Sequence, residues 1–141
     1  MSLKDELQSV ISGNGTVRNG KIIQTITDHL RRKKKAISEI EKTEFSKEQE
    51  TQILIEFIEN ENFWFKKVEQ AKFIGEGAEQ KIFEFSDPRF VIKLNDSIFY
   101  EFWEDYLNSL LIHNFFFPHL AYELIGFNTY EGKLYAIVKQ P

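Results

Sequence analysis

Cysteine is absent, and with it disulfide staples, thiolate zinc sites and thiol nucleophiles. No stretch approaches the roughly 20 consecutive apolar residues that a membrane-crossing helix requires. Met1-Ser2-Leu3 runs at once into charged residues, which leaves no hydrophobic region for a secretory signal. A cytoplasmic protein with no membrane partner is expected. Asn14-Gly15-Thr16 fits a glycosylation pattern but lacks a secretory route. His29, His113 and His119 show no metal-ligand spacing, so no metal is expected, and no Ser–His–Asp arrangement can be argued from residue order.

What is present is aromatic and unevenly charged. Phenylalanine occurs 14 times, mostly from Phe63 onward, so the second half carries the denser core. The net charge is −4, yet residues 1–35 hold eight Lys/Arg against three Asp/Glu, while the remainder holds ten against nineteen. Such asymmetry suits an anionic partner for the first segment, or two segments that attract each other.

Hydrophobic spacing divides the chain into a helical leader, 1–64, and a mixed domain, 65–141. Leu3, Leu7, Val10 and Ile11 share one helical side. Gly13-Asn14-Gly15 and Asn19-Gly20 then break the pattern, because Asn and Gly tolerate positive φ. Ile22, Ile26, Leu30, Ile37 and Ile40 define a second helix whose polar side bears Arg31-Arg32-Lys33-Lys34-Lys35. Ser46, three residues before Gln49, opens a third with a capping box.

After Trp64 the period shortens. Lys72-Phe73-Ile74, Gln80–Phe85 and Phe90–Leu94 read as strands, the first two joined through Gly75-Glu76-Gly77. Asn95-Asp96-Ser97 can cap a helix from Ile98 to about Asn114, with Phe99, Phe102, Trp103, Tyr106 and Leu110 on its apolar stripe. Tyr122–Phe127 and Lys133–Val138 follow as a hairpin around Asn128–Gly132. The expected class is α+β: a helical segment, then a five-stranded antiparallel sheet with one packed helix.

A glycine loop between the first two strands and a lysine in the third resemble the small lobe of protein kinases. There the loop covers the ATP phosphates, and a glutamate on the next helix holds the lysine. Gly75 and Gly77 match the first two glycines, Gln80 departs from the third, and Ile82 stands where valine is usual. Phe90-Val91-Ile92-Lys93 matches the lysine strand. With Trp103–Asn108 and Gly126-Phe127, the stretch Gly75–Pro141 is similar to the kinase-like domain of polyvalent proteins from bacterial mobile elements. The resemblance implies weak ATP binding through Gly75, Gly77 and Lys93. Glu104 is the first choice to hold Lys93, ahead of Glu101 and Glu123.

Each motif also has a plainer reading. A glycine pair after a strand is ordinarily a hairpin turn, and a lysine in an apolar strand ordinarily snorkels to water. The catalytic aspartate and asparagine and the Asp-Phe-Gly segment of kinases have no counterpart here, so no catalytic residue is expected in this chain. It reads as the leader and small lobe of a larger kinase-like protein, the large lobe missing. The alternative is a non-enzymatic module that binds protein or nucleic acid through the basic helix 21–40. A solvated helix face is the plainer account of that run, so nucleic acid is not expected. Phe115, Phe116, Phe117 and Tyr135 are expected to line a bare large-lobe-facing surface that a homodimer would cover.

Overall fold

The computed structural model describes residues 2–41, 44–66, 73–77 and 80–141. Three helices lead: α1 (Leu3–Ser12), α2 (Lys21–Glu41) and α3 (Lys47–Asn60). The turns between the first two use the glycine and asparagine of the sequence, with Gly13 at φ 91° and Asn19 at φ 57°. The capping box forms as expected: Ser46 Oγ accepts from Gln49 N, and Gln49 Oε1 accepts from Ser46 N.

Five strands follow, β1 (Phe73–Glu76), β2 (Lys81–Glu84), β3 (Val91–Asn95), β4 (Glu123–Tyr130) and β5 (Lys133–Gln140), with α4 (Trp103–Phe116) between β3 and β4. They make one antiparallel sheet in the order β1-β2-β3-β5-β4. The α+β class and the order of elements are as expected. Lys72, read as the start of the first strand, lies outside the described residues. The last hairpin turns on two residues only, Glu131 at φ 51° and Gly132 at φ 78°, which gives the positive φ pair that matches strand twist. Asn128–Tyr130 therefore extend β4 instead of forming the loop.

The helix expected from Ile98 begins at Trp103. Asn95 Oδ1 accepts from Ser97 N and Asp96 Oδ1 from Ile98 N, so both side chains make turns two residues on instead of capping a helix. Ser97 takes φ 61°, which breaks any helical run, and Lys47 Nζ donates to the carbonyls of Ser97 and Tyr100. Phe99, placed on the apolar stripe by spacing, is consequently outside the helix and 61% exposed.

One core joins the leader to the sheet. Ile23, Ile26 and Leu30 of α2 and Leu54 and Ile58 of α3 pack in the same cluster as Trp103, Leu107 and Leu111 of α4 and Phe127 and Val138 of the sheet. A smaller cluster of Ile92, Leu94, Tyr135 and Ile137 fills the opposite sheet face. Tyr135, expected on a bare surface, is buried there against the Tyr130 ring, because its place in β5 turns it to that face. Phe116, Phe117 and Leu120 stay about half exposed, and Phe115 is partly buried. Among the described residues no helix is long and apolar enough to cross a membrane.

Candidate nucleotide-phosphate site

Strand alternation decides which way the lysine points. Ile92 and Leu94 belong to the smaller cluster, so Lys93 projects to the other face, toward α4. It stands between Ile82 of β2 and Val138 of β5 in register. Val91, two residues earlier, shares its face. Lys93 is half-buried, and this loss of solvent lowers its pKa from the ordinary lysine value. Its ammonium lies over the Tyr122 ring, 5.5 Å from the centroid. Among the described residues no carboxylate comes within ion-pair distance of it.

The three glutamates that spacing offers as its partner are placed elsewhere. Glu104 Oε2 accepts from Arg31 Nη1 at 3.3 Å, and Arg31 also donates to Ile11 O and Thr27 Oγ1. Glu123 pairs with Lys139 at 3.2 Å. Glu101 is exposed in the loop before α4. Because α4 starts at Trp103, Glu104 sits in its first turn. His113, whose ring lies 4.4 Å from that of Tyr122, comes nine residues later, about 13 Å along the axis. The helix thus passes Lys93 with its C-terminal half, which carries no acid; the acids of α4 are Glu104 and Asp105.

Gly75 registers with Ile82, and Gly77 N donates to Gln80 O at 2.8 Å, closing the hairpin beneath its tip. Neither glycine has a positive φ, and among the described residues a Cβ on either would meet nothing within 4 Å. Gly126 is the contrast: at φ 154°, its Cβ would come 2.8 Å from Phe65 Cβ and 3.0 Å from Phe63 O. The described residues require glycine at 126 and leave room for a Cβ at 75 and 77. A cavity of about 230 Å³ beside the loop is lined by Gln80, Lys81, Leu94 and Tyr135, on the face opposite Lys93, so the lysine does not reach into it.

Three residues at this site escape a reading by spacing. Asn114, fully buried, donates from Nδ2 to Arg18 O and Tyr122 O and accepts at Oδ1 from Tyr122 N at 2.8 Å. His113 stacks on Tyr122 and Phe117, with its Nε2 3.0 Å from Leu120 O. Tyr122 itself lies just before β4. A polar pair, His113-Asn114, inside an otherwise apolar helix end was the available signal. Of the two histidines that flank the aromatic turn Phe115–Phe117, for which packing is the natural reading, His113 does pack among the rings and His119 is exposed.

The basic run on α2 is largely engaged within the chain. Arg31 holds Glu104, Arg32 pairs with Asp28 at 3.1 Å, and Lys34 lies 4.6 Å over the Phe102 ring. Lys33 and Lys35 remain as exposed charges. Among the described residues no three His, Cys, Asp or Glu side chains cluster to hold a metal ion.

Residues 47–141 match the family model of serine/threonine/tyrosine kinases found in polyvalent proteins. The matched stretch takes in α3, all five strands and α4, and so reaches back into the helical leader. No curated protein and no solved structure matches the chain. With about two thirds of its length in that match, the chain belongs to the family of serine/threonine/tyrosine kinases found in polyvalent proteins.

Proposed function

We propose that this chain is the nucleotide-binding small lobe of a kinase-like protein, holding ATP phosphates between the Gly75–Gly77 loop and Lys93. The observation that carries the reading is Lys93: a half-buried cation with no carboxylate beside it among the described residues. A desolvated charge without a counter-ion favours an incoming anion. Gly75 and Gly77 support it, since among the described residues nothing crowds them and a ligand has room for close approach. Ile82 and Val91 offer an apolar surface on the same sheet face. Transfer of the phosphoryl group needs a metal clamp and an aligned base, and the sequence supplies no counterpart of either. The chain by itself therefore binds and does not transfer.

Calorimetric titration with ATP tests the binding. The expected dissociation constant is about 1 mM, roughly −4 kcal/mol, because one lobe offers one wall of the cleft. Lys93→Ala should abolish it. Equal binding by wild type and Lys93→Ala would refute the reading, and micromolar affinity would mean that a second wall is present.

The glycines make a second, sharper expectation. Gly75→Ala and Gly77→Ala should keep or slightly raise the melting midpoint, since Ala restricts the unfolded chain and meets none of the described residues in the folded one. Both should weaken ATP binding. A fall in the melting midpoint would make these glycines structural.

A further inference from the structure

We infer that Tyr122 is the positioning residue for Lys93, its ring face taking the place of the helix glutamate that holds this lysine in kinases. The inference rests on the reading of Lys93 given above. Four observations lead to it. The ammonium of Lys93 lies 5.5 Å from the Tyr122 centroid, within the range where a ring face attracts a cation. The part of α4 that passes the lysine carries no acid, and Glu104 is held by Arg31. The backbone of Tyr122 is fixed on both sides by one buried amide, Asn114, which accepts from its N–H and donates to its carbonyl. Finally, the His113 ring lies against Tyr122 at 4.4 Å, so the aromatic support is itself supported.

A ring does chemically what a carboxylate cannot. It orients the ammonium and excludes water without neutralising the charge, so the full positive charge stays available to a phosphate. A carboxylate partner would share it. The ring also imposes no bidentate geometry, which leaves the lysine free to tilt toward the loop. Tyr122 thus positions Lys93 and is not a catalytic residue.

The test uses the whole chain with its lysines reductively ¹³C-methylated, Lys93 being assigned by its loss in Lys93→Arg. In the wild type the Lys93 methyl resonance should be displaced by the ring current of Tyr122. Tyr122→Phe should keep the displacement and Tyr122→Leu should remove it. Lys139, which lies over the rings of Phe85 and Phe90, is the internal control for an intact fold. Should leucine also move Lys139, Tyr122→Met provides the same comparison. ATP affinity should fall about two- to fivefold in the leucine variant relative to phenylalanine. A Lys93 resonance unmoved by Tyr122→Leu, or equal affinity in the two variants of a chain that binds ATP, overturns the inference. A displaced Lys93 resonance in a chain that binds no ATP would leave Tyr122 in its role and remove the nucleotide reading alone.

Discussion

Trp103→Ala is expected to cost about 3–5 kcal/mol and to bring down the leader helices and the sheet together. The indole is 2% exposed, touches the rings of Tyr106 and Phe127, and stands in the cluster that joins α2, α3, α4 and the α4-facing side of the sheet. Truncation removes a large apolar contact at the point where four elements meet, and a backbone hydrogen-bonded to Glu50 cannot readily close the hole. Native stabilities of 5–15 kcal/mol leave little margin for such a loss. Urea unfolding followed by far-ultraviolet dichroism and by tryptophan fluorescence, from Trp64 and Trp103 in the wild type and from Trp64 alone in the variant, should show coincident transitions in each chain, shifted together in the variant. Helical signal that survives after the sheet has melted would mean that the leader has a core of its own.

Glu50→Ala should be the next most damaging change, at about 2–4 kcal/mol. This α3 carboxylate is 2% exposed and accepts from the backbone N–H groups of Trp103 and Glu104. It caps α4 from another helix, where Phe102, the residue at the cap position, makes no side-chain cap bond. Removing it leaves two donors unsatisfied inside the protein. Burial raises the Glu50 pKa above its ordinary value of 4.5, against the pull of the two backbone bonds. The folded state therefore keeps a proton that the unfolded state releases. The contribution of the protonated form is present below 4.5 and is lost as pH rises through the folded value. Glu50→Gln retains one acceptor and cannot titrate, so it should flatten that part of the pH dependence. Urea midpoints followed from below the ordinary value of 4.5 up to neutral pH give the comparison. An alanine variant as stable as wild type, or an unchanged slope in the glutamine variant, would contradict this account.

Local chemistry was readable and distant chemistry was not. The capping box at Ser46, the turns at Gly13 and Asn19 and the apolar run of β3 each depend on neighbours in sequence, and local pattern finds them. The start of α4 depends on Lys47 and Glu50, some fifty residues upstream, so Asn95-Asp96-Ser97 misled as a cap. That error carried into the site. With the helix begun five residues early, Glu104 fell in its second turn at the margin of the apolar stripe, whereas it sits in the first turn beside Arg31. Lys93 and the glycine pair could be placed on neighbouring strands from order alone. Tyr122 could not, because it reaches the lysine only when β3 and β5 pair across the crossover and Asn114 fastens the chain between helix and strand.

The most direct test is a titration of the ¹⁵N-labelled chain with ATP, followed by amide chemical shifts. The account predicts saturable changes at Gly75, Gly77, Ile82, Val91 and Lys93, much reduced with adenosine, which lacks the phosphates. Changes confined to Arg31–Lys35, or none at all up to about 10 mM nucleotide, ten times the expected dissociation constant, would contradict it.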